Sequence, residues 1–94
     1  MTDNFNKNPM QVYFNQVKGV VCEIDVQERF SNLTLNVGQE VMRKVNFVAK
    51  TPYFQEQTAH IKVGDTVCVK FYLTSNSKNN IWYTTATLLS VEKV

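Results

Sequence analysis

The sequence predicts an all-β domain: a five-stranded Greek-key barrel with one short helix between strands 3 and 4. Two observations carry this. Apolar and polar side chains alternate with period two in segment after segment between Val17 and Thr74, and helix-favouring composition is confined to residues 52–60. The first strand spans residues 17–26, with Val20, Cys22, Ile24 and Val26 on one side and Lys18, Val21, Glu23 and Asp25 on the other. Gly19 marks a bend or bulge where this strand curls. Ser31 and Asn32 then punctuate, and in the second strand Leu33, Leu35 and Val37 alternate with Thr34 and Asn36. At Val37-Gly38-Gln39-Glu40 a glycine able to take positive φ turns the chain into a hairpin. The third strand, from Met42 to Lys50, has Arg43, Val45, Phe47 and Ala49 as its core face and Lys44, Asn46, Val48 and Lys50 as its outer one.

Residues 52–60 begin with a proline suited to a first helical turn and amount to one or two turns, which need tertiary support. Val63-Gly64-Asp65 returns the chain to a fourth strand, with Val67, Val69, Phe71 and Leu73 inward and Cys68, Lys70, Tyr72 and Thr74 outward. Residues 75–80 read as a long, mobile polar tip before a fifth strand over residues 81–91. That last strand has two conflicting parities, Trp82 with Ala86 and Leu88 against Tyr83 with Thr85, Leu89 and Val91. A bulge near Thr84-Thr85 reconciles them. Closure into a barrel removes the bare edges that an open sheet of this size exposes.

With 94 residues the chain is one domain with a modest core, expected over residues 12–94 behind a loose N-terminal arm, residues 1–11. The start lacks the apolar stretch of a secretory signal, and no apolar run is long enough to span a membrane. Cys22 and Cys68 are too few for a disulfide framework and lack the histidine company of a zinc site, so both are expected reduced, in a cytoplasmic setting. The formal charge of +2 gives modest support for a polyanion partner. Glu23, Asp25 and Glu28 cluster, whereas Arg43, Lys44, Lys50, Lys70 and Lys78 lie on other segments. His60 is the sole histidine and has no nucleophile at a recognisable spacing; Asp65 belongs to a turn. No catalytic activity, metal or cofactor is therefore expected.

Lys62-Val63-Gly64-Asp65-Thr66-Val67-Cys68-Val69, the Asn-rich segment that follows Thr74, and Trp82-Tyr83 together resemble the single-stranded DNA-binding proteins of bacterial and phage OB-fold type. Val17-Lys18-Gly19-Val20-Val21 is similar to the family's opening strand, and the likeness covers about residues 12–92. The housekeeping bacterial members continue into a linker with an acidic tip that recruits repair enzymes. This chain stops at Glu92-Lys93-Val94, so the resemblance is to stand-alone members such as phage-encoded binders. It implies the OB-fold, sequence-nonspecific protection of single-stranded DNA in replication or recombination, and a homodimer or larger assembly. Replication proteins enter as further partners.

Strand binding needs exposed rings for the bases and cations for the phosphates. The candidates are Tyr53, Phe54, Tyr72, Trp82 and Tyr83 for stacking, and Arg43, Lys44, Lys50, Lys70 and Lys78 for charge. Phe47 and Phe71 share parity with aliphatic residues and belong to the core. Tyr53 and Phe54 have a second reading, as anchors pinning the helix to the barrel mouth, and either Trp82 or Tyr83 faces the ligand. The rival functions are a protein-interaction adaptor in a replication or virion assembly and an RNA-binding domain.

Overall fold

The computed structural model describes residues 14–94; the expected arm over residues 1–11 lies outside the described residues. Five strands follow in order, β1 (Asn15–Asp25), β2 (Phe30–Asn36), β3 (Lys44–Lys50), β4 (Thr66–Lys78) and β5 (Ile81–Lys93), with helix α1 (Thr51–Thr58) between β3 and β4. They close into a barrel in the order β1-β2-β3-β5-β4. Every pairing is antiparallel except β3 with β5, which run parallel and touch at one bridge, Val48 opposite Thr87. This is the expected OB-fold.

Alternation fills the barrel. Leu33 and Leu35 from β2, Phe47 from β3 and Val67 and Val69 from β4 are fully buried, each contributing about 1.5–3 kcal/mol of apolar burial for the larger side chains. Phe47 meets the half-buried Phe71 at a 5.0 Å ring separation, tilted by 57°.

The first strand departs from its expected two faces. Val21 is buried while Val20 is 39% exposed, and the β1–β2 register shifts between Val21 and Glu23. Cys22 is the extra residue of a bulge. Val17, Gly19 and Val21 face inward before it, and Ile24 turns inward after it, opposite Leu33, because two residues against one reverse the parity. Val26 is left outside, 48% exposed. Gly19 is not the bulge. A Cβ there would lie 2.7 Å from the Asn36 carbonyl oxygen, so the residue serves close approach between β1 and the end of β2. Gly38 likewise keeps an ordinary φ, since Gly64 is the one glycine with positive φ among the described residues.

Ser31 and Asn32 do not interrupt β2 but lie within it. Ser31 is buried and belongs to a closed relay: the Gln27 N–H donates to its hydroxyl at 3.1 Å, the Ser31 and Thr51 hydroxyls bond at 2.8 Å, and Thr51 Oγ1 donates to the Gln27 carbonyl. The Thr51 N–H also reaches the Arg29 carbonyl at 3.0 Å, so the start of α1 is held without a side-chain cap of its own. Asp65 sits in its turn as expected, accepting from the Lys62 N–H at 3.0 Å and facing Lys93 at 3.5 Å.

The β4–β5 hairpin is longer and more regular than the sequence suggests. In place of a polar loop over residues 75–80, the strands pair out to Lys78 opposite Ile81. Only Asn79 and Asn80 turn, at φ 53° and 66°, the doubly left-handed geometry that suits right-twisted strands and that asparagine tolerates. The bulge of β5 lies at Leu89, between the pairs Phe71–Leu88 and Lys70–Ser90, not at Thr84-Thr85.

Candidate nucleic-acid interface

Past the single Val48–Thr87 bridge, β5 swings away from β3 and carries β4 with it. The splay opens a groove of about 640 Å³ on the outer face of the barrel. Its lining is largely apolar, with Val48 and Ala49 from β3 and Leu88 and Leu89 from β5, and Thr74 and Asn76 from β4 and Thr85 and Thr87 from β5 add uncharged hydrogen-bonding groups. Tyr72 stands on the same face, opposite Thr87. At the helix end the groove is bounded by Phe30, Lys50 and Tyr53.

Local structure holds each of these side chains. Tyr53 lies in the first turn of α1, and its hydroxyl donates to the Leu89 carbonyl. That acceptor is free because the bulge takes Leu89 out of the β4–β5 pairing. Phe30 begins β2 directly opposite Lys50, on the outer parity shared with Asn32 and Thr34. Among the described residues the ring pair in contact is Phe47–Phe71, in the core, so Phe30, Tyr53 and Tyr72 do not stack on one another. Beside the groove the β2–β3 face continues as amides and hydroxyls, with Asn46 Nδ2 donating to Asn32 Oδ1 at 2.9 Å and Thr34 Oγ1 to Asn46 Oδ1 at 3.2 Å.

Of the ten expected site residues, the groove brings together three: Lys50, Tyr53 and Tyr72. Phe54 is 0% exposed and has no stacking face; it is the helix's anchor in the core, because at positions 53 and 54 the helical rotation sends one ring out and the next in. Register separates Trp82 from Tyr83. Tyr83 pairs with Asn76 and shares the groove face, whereas Trp82 pairs with Ser77 on the opposite face of the ribbon and is 70% exposed. Lys78, opposite Ile81, has the groove parity at the hairpin tip, and Lys44 is exposed on the outer face at the start of β3, next to exposed Arg43. Lys70 does not line the groove; its ammonium lies 5.3 Å from the centre of the Phe14 ring. Phe30 was the ring missing from the expected set. Its signal was its parity, since it alternates with Ser31, Leu33 and Leu35 and so falls on a polar face.

No family profile matches the chain, and no curated protein matches its sequence. Solved structures do. A small single-stranded DNA-binding protein from Streptomyces coelicolor superposes with a TM-score of 0.52 at 12% identity, over 90% of this chain and 96% of that one. One from Mycoplasma pneumoniae gives a TM-score of 0.50 at 13% identity, over 87% and 93%. The chain has the fold of these proteins. At such identity the shared feature of the OB-folds is the barrel path and its alternation, while the residues lining the groove are this chain's own.

Proposed function

We propose that the protein binds single-stranded DNA without sequence preference, in the groove between β3 and the β4–β5 ribbon, and protects it during replication or recombination. The observation that carries this is the groove's lining: three separate rings, Phe30, Tyr53 and Tyr72, on an uncharged floor of apolar side chains with the hydroxyls and amide of Thr74, Asn76, Thr85 and Thr87, with Lys50 at the margin and Lys44 and Lys78 toward the tip. Unpaired bases offer π-faces to the rings, and their edges meet donors and acceptors without charge. Each stack contributes about 1–3 kcal/mol, so three stacks with a few phosphate contacts reach the ~8 kcal/mol of a micromolar complex. The fold of proteins named for single-stranded DNA binding supports the same reading. A homo-oligomer would lengthen so short a track.

The test is a titration of labelled thymine and mixed-sequence strands, and of a ribose strand of the same sequence, at two salt concentrations. Micromolar or tighter binding to both DNA strands, with log affinity falling against log salt at a slope of about −2 for three phosphates, is the expected result. No binding at low salt would remove the proposal, and a strong preference for the ribose strand would transfer it to RNA.

A further inference from the structure

We infer that the Tyr53 hydroxyl is a positioning group, separate in role from its ring: it fixes the angle of the β4–β5 ribbon and so sets the gap that a base enters. This role rests on strand binding as proposed above and concerns what holds the groove ready for it.

The two walls of the groove are held differently. On one side Phe30, Lys50 and Tyr53 belong to the barrel and its helix. Phe54 plugs α1 into the core, the Thr51 hydroxyl bonds to Ser31 at 2.8 Å and to the Gln27 carbonyl, and the Thr51 N–H reaches the Arg29 carbonyl at 3.0 Å. Tyr53 therefore stands on a fixed mount. On the other side Tyr72, Thr74 and Asn76 belong to the ribbon, past the last β1–β4 pair, Asn15 with Phe71. Two rings are set in the barrel and one is carried on an arm.

Among the described residues, two polar contacts tie β5 to the barrel along the groove: the Val48–Thr87 bridge and the bond from the Tyr53 hydroxyl to the Leu89 carbonyl. They lie two residues apart, about 6–7 Å along the strand. Between them Leu88 is buried and fixes how deep β5 sits. One attachment is a pivot, whereas two fix an angle. The second acts where the ribbon's own pairing is interrupted, since the bulge takes Leu89 out of the β4 ladder and leaves its carbonyl to the phenol. Without the hydroxyl the ribbon turns about Thr87, and Tyr72 loses its set distance from Phe30 and Tyr53. A strand then has to order the arm as it binds, which lowers affinity.

Tyr53→Phe keeps the ring and deletes the hydroxyl, so it separates the two roles. In the DNA-free variant, amide exchange over residues 82–87 should quicken at least about fivefold, with the global unfolding midpoint little changed. A thymine strand should bind about fivefold more weakly, the size of one net hydrogen bond, at an unchanged salt slope. That loss should shrink to within about twofold in a Tyr72→Ala background, because the hydroxyl acts through the placing of that ring. A full fivefold loss retained without Tyr72 overturns the positioning role and makes the hydroxyl a direct contact to DNA. Unchanged exchange or unchanged affinity in Tyr53→Phe, with the unaltered protein binding the strand, also overturns it and leaves strand binding standing. No binding by the unaltered protein removes the function proposed above, and the positioning role with it.

Discussion

Two stretches of one hairpin obey the same alternation and meet opposite fates. Near the barrel the inward residues of β4 and β5, Val67, Val69, Leu88 and Val91, are buried, while toward the tip Leu73 and Trp82, on that same face, are 56% and 70% exposed. The pairing is unbroken between them apart from the bulge at Leu89. What changes is the layer opposite. β1 flanks β4 as far as Phe71, and β3 pairs with β5 only at Thr87, so among the described residues no strand pairs with the ribbon beyond those points. Period-two patterning tells which side chains share a face; burial needs a second surface.

The comparison can be broken most forcefully at Phe54. Phe54→Ala should cost about 3–5 kcal/mol in denaturant unfolding, since it leaves a cavity under α1, whereas an effect on DNA affinity without loss of stability would return this ring to the surface. Next comes the relay under the helix. Ser31→Ala leaves the Gln27 N–H and the Thr51 hydroxyl short of a partner and should cost about 1–3 kcal/mol, again read as a fall in midpoint. Tyr72→Ala sharpens the comparison from the outer face, with an expected loss of roughly 1–3 kcal/mol in strand binding and thermal stability changed far less. An unchanged affinity would demote Tyr72 to cross-strand packing against Thr87. Smallest is Trp82→Ala on the bare ribbon face, with a stability change within about 0.5 kcal/mol. A larger loss there would mean that the face is covered in solution.

Much of the barrel was legible because core strands announce themselves. Leu33 and Leu35, Phe47 and Ala49, Val67 and Val69 all fall where simple alternation puts them, and the helix appears in the one stretch with suitable composition. The misread positions share a cause. A bulge adds a residue that no propensity marks, so Val20 and Val21 exchanged places at Cys22, and the same uncertainty moved the β5 bulge from Thr84-Thr85 to Leu89. Polar residues at 75–78 looked like a loop because strands with both faces in water need no apolar parity, yet cross-strand pairs such as Ser75 with Thr84, whose hydroxyls bond at 3.0 Å, hold them in register. Of the site, Lys50, Tyr53 and Tyr72 were legible as outward or solvent-facing residues. Their meeting in one groove was not, since it depends on how far β5 swings from β3.

By itself the sequence determined the class of fold, the order of elements, most core faces and the chemistry available on the outside, because these follow from local alternation, turn residues and composition. The tertiary structure alone decided three things. It separated Trp82 from Tyr83 by register, it sent Phe54 inward and Tyr53 outward on a two-turn helix, and it joined Phe30 to the groove across strands distant in the chain. Each depends on which surfaces come to lie opposite one another when the barrel closes, and no local pattern encodes that.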